Sequence, residues 1–516
     1  MLRSCLLVVI IFLLSYSTGE AQATGDTYKE PYRPQIHFSP KEHWMNDPNG
    51  MVYHDGIYHL FFQYYPGGTV WGPMHWGHAT SRDLIHWQQQ PIALYPDSLG
   101  YIFSGSAVVD QNNTSGFGRN GKVPLVAIFT SHNPHAAPGA TDVENQSIAY
   151  SLDNGKTWTK YSGNPVLKNP GISDFRDPKV MWYSAENKWV MTLATKDRIT
   201  FYSSKDLKHW SKESEFGQSA GAHGGVWECP DLFPLQYKGE TVWVLIVNLN
   251  PGGPNKGSAT QYFTGSFDGT TFISNSSQVK WIDYGPDEYA GVTWNNTGNR
   301  RIFLGWMSNW LYANEVPTVK WRNAMTLPRK LSLTKIGYEM YVTSEPVDDL
   351  KLIARKAVVT TNVTVSKTTD LSRLMRQPVS LPCRIDVRMD QLHNFSIILS
   401  GKLNRKLVVG YDKPSNQYYI DRTMAGKSGF NKEFAAKYIA PRIAENKEMT
   451  LSIIADESSI ELFADGGLSV MTAVFFPEKP YDTIEISAPG KVVFNNISYT
   501  GLKSIWKLLL VLVDML

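Results

Sequence analysis

The sequence predicts an all-β protein, a five-bladed β-propeller followed by a C-terminal antiparallel β-sandwich, and three observations carry that expectation. Short aromatic and β-branched runs broken by turn pairs fill the chain, as in Tyr53-His54-Asp55-Gly56-Ile57-Tyr58 and Ser151-Leu152-Asp153-Asn154-Gly155-Lys156. Asp-Gly and Asn-Gly between alternating runs are strong hairpin signals. No long stretch holds a capped 3.6-residue apolar period. A serine, an aspartate, a short turn and a Trp or Phe recur four times, and this texture ends near Trp321.

The 516 residues are 42% hydrophobic, 12% aromatic and only 19% charged, far too apolar for a disordered chain, and their number allows about two to four domains. A formal charge of +3 leaves no footprint of a nucleic-acid partner. Arg3 precedes an apolar run from Leu6 to Leu14, and polar residues then lead to Ala21-Gln22-Ala23. This is the pattern of a secretory signal peptide, so residues 1–23 are expected to be removed and the protein secreted. Neither that run nor Leu508 to Val513 reaches the about 20 residues of a membrane helix, and no membrane partner is expected. With Cys5 in the leader, Cys229 and Cys383 exclude a disulfide framework and allow at most one bridge. Eight Asn-x-Ser/Thr sequons, at Asn112, Asn113, Asn145, Asn275, Asn295, Asn362, Asn394 and Asn496, are glycan acceptors if the host is a eukaryote.

The repeat reads SRDLIHW from Ser81, SLDNGKTW from Ser151, SKDLKHW from Ser204 and SFDGTTF from Ser266. Its aspartates, Asp83, Asp153, Asp206 and Asp268, stand 53 to 70 residues apart, slightly longer than the roughly 40 to 50 residues of common propeller repeats. The propeller is assigned to residues 24–335, where five such units fit. Ser344-Glu345-Pro346-Val347-Asp348-Asp349 reads as part of a linker, residues 336–350. In residues 351–516, runs such as Leu451-Ser452-Ile453-Ile454-Ala455 and Ile460-Glu461-Leu462-Phe463 flank turns, as in an antiparallel sandwich.

Three acids stand in an unusual setting. Trp44-Met45-Asn46-Asp47-Pro48, Phe175-Arg176-Asp177-Pro178 and Trp227-Glu228-Cys229-Pro230 each put an acid just before proline and just after an aromatic. A residue preceding proline is pushed to extended geometry, which would fix the directions of Asp47 and Asp177. A flat apolar face beside a rigid carboxyl suits a sugar site. Asp47, Asp177 and Glu228 precede the repeat aspartates of their units by 36, 29 and 40 residues, so all three fall in the opening strand of a unit. Opening strands line a propeller's central channel, and the three acids are therefore expected to converge at one end of it. Two carboxyls suffice for glycosidic hydrolysis, one ionised and one protonated. A third that stays ionised would grip sugar hydroxyls and oppose developing positive charge.

Other constellations carry less. His75 and His78 lie three apart on an expected strand and so face opposite sides, against a metal site. Arg176 is expected to be the ion partner that keeps Asp177 charged. The glycines at Gly67-Gly68 and Gly252-Gly253 lack the strand-to-helix context of a nucleotide loop. Of Trp71, Trp306, Trp310 and Trp321, one or two are expected to be sugar platforms and the rest core.

WMNDPNG, FRDP and WECPD, in this order, resemble the three signature segments of glycoside hydrolase family 32, which includes invertases, fructan exohydrolases, inulinases and levanases. IHFSP, FSGSAV, NPGGPNKGS, TQYFTGSFDG, AGVTW, GWMSNW, LPR and ELFADGG extend the resemblance along nearly the whole chain. It implies a five-bladed propeller and a β-sandwich, and a retaining hydrolase of terminal β-fructofuranosyl units in sucrose or fructans. On matching positions Asp47 resembles the nucleophile, Glu228 the acid/base and Asp177 the stabiliser of the sugar hydroxyls. Asn46, Gln63, Trp71, Phe103, Ser104, Arg176 and Trp310 resemble the fructosyl-binding set. No metal or cofactor is implied. A non-catalytic fructan lectin and a fructosyltransferase are the alternatives, and the sandwich is open to polymer binding, homodimerisation or plain stabilisation.

Overall fold

The computed structural model describes residues 28–506. The expected leader, Cys5 and the run from Leu508 lie outside the described residues. No helix among the described residues is long and apolar enough to cross a membrane.

Five antiparallel sheets follow one another along the chain. They open with His43–His54, Tyr101–Val109, Phe175–Tyr183, Val226–Tyr237 and Tyr289–Thr293. Each opening strand packs against that of the next sheet, and the fifth packs back on the first, so the five form a closed inner ring. Apolar side chains of facing sheets fill the spaces between them, as where Phe61, Trp76, Phe129 and Ala149 join the first and second. The ring is sealed by the chain itself. Trp321–Arg322, a short strand in the fifth unit, runs parallel to His43 and Trp44, and Asn295 bonds through its backbone to Met51 and Tyr53. This is the expected propeller.

The four Ser-x-Asp repeats each make the turn between third and fourth strands. The first lies between His75–Ser81 and Gln88–Leu94, where Asp83 Oδ1 accepts the N–H groups of Ile85 and His86. Asp206 and Asp268 grip their turns in the same way. A side-chain acceptor satisfies turn amides that have no strand partner, which is why this residue type recurs there. The fifth sheet lacks the aspartate and turns at Gly337, whose φ is +57°.

That fifth sheet corrects the expected linker. Residues 336–350 are not a free connection, because Glu339–Pro346 pairs along its whole length with Arg329–Ile336, and Asp348–Leu352 forms a 3-10 turn. The charged segment Ser344 to Asp349 lacks turn-forming glycine, and its exposed residues Glu345 and Asp348 belong to an outermost strand and to the 3-10 turn after it.

Beyond it lie two six-stranded sheets, one running from Val358–Val365 to the edge strand Ser469–Val474, the other from Thr368–Asp370 to Lys437–Pro441. Strict alternation, as in Cys383–Met389 and Phe395–Ser400, places one face of each sheet in a shared core. Cys383 lies in that core and Cys229 in the propeller. Both are free, and no bridge joins them. Asn295 donates from its side chain to the carbonyls of Ala107 and Val180, so this sequon has no room for a glycan in the fold.

The sandwich docks on the fifth sheet of the propeller through buried charge. Arg329 bonds Asp283 and the sandwich's Glu461 with all three side chains fully buried. His37 lies between Asp456 and Glu461 at 2.8 Å from each.

Candidate active site

All five opening strands carry a β-bulge at the same level. Two residues of the opening strand stand against one of its neighbour: Asn46 and Asp47 against Gln63, Phe103 and Ser104 against Thr130, Asp177 and Pro178 against Leu193, Cys229 and Pro230 against Val247, and Ala290 and Gly291 against Gly305. A bulge bends its strand and re-aims the side chains beside it. Repeated around a closed ring, it turns one end of each inner strand toward the axis. The prolines fit this reading, because a residue without an N–H is tolerated in a strand where ladder pairing is interrupted.

Asp177 departs from expectation here. Its φ is +65°, in the left-handed region rather than extended, despite the proline that follows. Cys229 and Ala290, at φ +43° and +54°, occupy the corresponding place in their bulges. The bulge overrides the pre-proline preference, and an Asp tolerates that region better than most residues.

Asp47, Asp177 and Glu228 converge as expected. Asp47 accepts hydrogen bonds on both oxygens, from Asn46 Nδ2 at 2.9 Å and Ser104 Oγ at 2.7 Å. Its Oδ2 also lies 3.7 Å from Cys229 Sγ, which is 3.6 Å from Asp177 Oδ2. The thiol thus sits between the two aspartates, and the Cys229 N–H donates to Asp177 at 3.0 Å. Glu228 Oε1 accepts from Arg176 Nε at 3.1 Å and Nη2 at 3.0 Å. Its Oε2 meets the hydroxyl of Tyr289.

Arg176 corrects a second expectation. It bonds Glu228, Asp174 and Glu144 but makes no hydrogen bond to Asp177, because neighbouring strand residues project to different sides. Asp177 is pushed up to about 8 by burial and by the charges of Glu228 and Asp47, against the pull of Arg176 and the Cys229 amide. Burial also raises Glu228, aided by Asp47 and opposed by Arg176 and Tyr289. Burial and the mutual repulsion of Asp47, Asp177 and Glu228 thus favour proton uptake at Glu228 and Asp177, while Arg176 opposes it at both.

The expected sugar-binding residues line the same end. Gln63 donates to Asn49 Oδ1 at 2.7 Å and to the Ile102 carbonyl at 3.0 Å, tying the first two bulges together. Phe103 stacks on His132 and meets the edge of Trp71, which is 40% exposed at the mouth. Trp310 is half-buried and packs on Trp44 and Trp306, and Trp44 Nε1 donates to Asn46. Trp306 and Trp321 are core, at 0% and 4% exposure, which leaves Trp71 and Trp310 as the candidates for a sugar platform. His78 stacks on Phe61 and bonds His59, a packing role.

The sequence reading missed Tyr289, Cys229 and Glu144. Tyr289 opens the one unit with no repeat aspartate to mark its phase. Cys229 is one of two cysteines outside the leader, and no local motif places its thiol between Asp47 and Asp177. Glu144 carries no local motif, and only the fold brings it to Arg176, at 3.2 Å.

Residues 37–344 match the family described as Glycosyl hydrolases family 32 N-terminal domain, and residues 349–501 the one described as Glycosyl hydrolases family 32 C terminal. The chain is 45% identical over 512 residues to a levanase of Bacillus subtilis (strain 168), spanning 97% of this chain and 75% of that one. It is 42% identical over 504 residues to the extracellular exo-inulinase of Aspergillus awamori, spanning 90% and 93%. The crystal structure of the Aspergillus awamori exo-inulinase superposes with a TM-score of 0.85 at 38% identity, over 93% of this chain and all of that one. A β-fructofuranosidase from Schwanniomyces occidentalis complexed with fructosyl-erythritol superposes with a TM-score of 0.83 at 32% identity, over 93% and 99%.

Proposed function

The chain belongs to glycoside hydrolase family 32, and from that premise we propose that it is a secreted, retaining exo-β-fructosidase that releases terminal fructose from sucrose and fructans. The observation that carries the reading is the meeting of Asp47 and Glu228 at one end of the channel, each held by a different set of donors. The likeness to a levanase, to exo-inulinases and to an invertase supports the substrate class.

In this reading Asp47 attacks the anomeric carbon of the terminal fructosyl unit while Glu228 donates its proton to the leaving oxygen, giving a fructosyl ester on Asp47. Asn46 and Ser104 fix both oxygens of Asp47, so the attacking atom needs little reorientation. Water then enters where the leaving group stood. Glu228 removes its proton, and fructose departs with its original configuration. Tyr289 suits both halves of this cycle, because its oxygen accepts from a protonated Glu228 and its O–H donates to an ionised one. Asp177 faces the ring, accepts sugar hydroxyls and favours the oxocarbenium-like transition state.

Sucrose, inulin and levan digested in parallel, with fructose scored against oligosaccharides, test the reading. Fructose alone is expected from both polymers, and oligosaccharide products overturn the exo assignment.

A further inference from the structure

The segment between the fourth and fifth propeller sheets, residues 282–288, is held by the sandwich as well as by its own domain, where Asn309 Nδ2 donates to the Pro286 carbonyl at 2.7 Å. It lies along Ser469–Val474, the edge strand of one sandwich sheet. Tyr284 N donates to the Val470 carbonyl at 2.8 Å and Asp287 N to the Thr472 carbonyl at 3.2 Å. In return Thr472 N donates to Asp283 Oδ1 at 2.9 Å and Val474 N to Asp287 Oδ2 at 2.8 Å. Gly285 lets the two backbones touch, since a Cβ there would meet Thr472 N at 2.2 Å. An edge strand with open amides is a template for an extended segment.

Arg422 completes the hold. This sandwich residue is fully buried, and its guanidinium donates to Asp287 Oδ2 at 2.6 Å and to the hydroxyls of Tyr312 and Tyr438 at 2.7 Å each. Tyr312 in turn donates to Asp287 Oδ1 at 2.5 Å. Asp287 stands two residues before Tyr289, whose hydroxyl meets Glu228. Tyr312 stands two residues after Trp310, the half-buried candidate platform. One sandwich arginine therefore grips both loops that carry fifth-sheet residues into the pocket.

We infer that Arg422 is a positioning residue of the active site, through which the sandwich sets Tyr289 against Glu228 and Trp310 against the sugar. The inference rests on Glu228 being the acid/base. The charged and titratable groups facing Glu228 are Arg176, Asp47, Asp177, Cys229 and Tyr289, so a change confined to Tyr289 has a distinct signature. With its hydroxyl withdrawn, ionised Glu228 loses a donor, and the basic limb of the kcat/KM profile moves to higher pH.

The test compares full-length R422M, Y312F, Y289F and R442M. Arg442 is a buried arginine paired with Asp465 inside the sandwich, and all its hydrogen bonds stay within that domain. R422M is expected to lower kcat on sucrose about tenfold and to shift the basic limb upward, as Y289F does, with no further shift in the double variant. R442M is expected to lower Tm and leave the profile in place. Y312F removes a single hydroxyl and serves if R422M does not accumulate as folded protein. Wild-type profiles in both R422M and Y312F, or a shift additive with that of Y289F, overturn the inference. Full activity in E228Q overturns instead the reading beneath it.

Discussion

Tyr289 meets the oxygen of Glu228 that Arg176 leaves free, so the carboxyl is held from both sides by residues of two other sheets. The tyrosine O–H favours the ionised form, and deleting it raises the Glu228 pKa. Y289F is expected to extend the basic limb of kcat/KM by about half a pH unit or more and to lower kcat several-fold. Profiles on sucrose from acid to alkaline pH check this. A basic limb that moves downward refutes the contact's role.

The two proposed carboxyls differ in how their loss is repaired. With the nucleophile intact and the acid/base removed, a substrate with an activated aryloxy leaving group still forms the ester on Asp47, and azide can take the place of activated water. E228A is therefore expected to lose at least about 10²-fold on sucrose and to regain turnover of aryl β-fructofuranoside with azide, giving a fructosyl azide of retained configuration. D47A has no ester to intercept, so any azide product must be inverted. NMR of the azide adducts decides between them, and an inverted adduct from E228A reverses the assignment.

The sequence shows the convergence of Asp47, Asp177 and Glu228 because the repeat aspartates Asp83, Asp206 and Asp268 mark a fixed turn, and strand one lies a constant two strands before it. Proline after each acid was legible too, but as a stiffener of extended backbone, when it marks the bulge that places Asp177 at φ +65°. Partner identity was not legible. Arg176 adjoins Asp177 in sequence, yet faces Glu144 from the second sheet and Glu228 from the fourth. The same holds for Glu339–Pro346, whose pairing with Arg329–Ile336 follows a turn with no aspartate in it.

His37 offers a readout of the domain junction. Burial alone would lower its pKa, but the contacts with Asp456 and Glu461 prevail and raise it to about 9, above the unfolded value near 6.5. The imidazolium therefore contributes stability in full below about pH 6.5, and that contribution fades as pH rises through about 9. H37Q is expected to be less stable by a few kcal/mol at about pH 6 and nearly equal to wild type at about pH 10. Denaturant unfolding across this range checks it. A gap that is constant with pH means that His37 acts by packing alone.

Asn248 clamps two bulges at once. Its amide donates to the Cys229 carbonyl at 2.9 Å and the Gly291 carbonyl at 3.3 Å, and its Oδ1 accepts from Gly291 N at 3.0 Å. Cys229 follows Glu228, and Gly291 lies two residues after Tyr289, so the fully buried amide sets the spacing of the pair. N248A deletes the clamp and leaves three backbone groups without partners, for about 2 to 4 kcal/mol of stability. N248D keeps the shape and the acceptor but turns a carboxylate toward two carbonyl oxygens, which bury a repulsion unless the carboxyl takes up a proton. N248D is therefore expected to be the less stable of the two at about pH 8 and to recover as pH falls, while N248A shows no such recovery. Both are expected to lower kcat more than they raise KM, since the sugar-binding residues on the first and second sheets are untouched. Melting curves at two pH values and sucrose kinetics check this, and an N248D variant with no pH-dependent recovery shows that the amide does not face those carbonyls in solution.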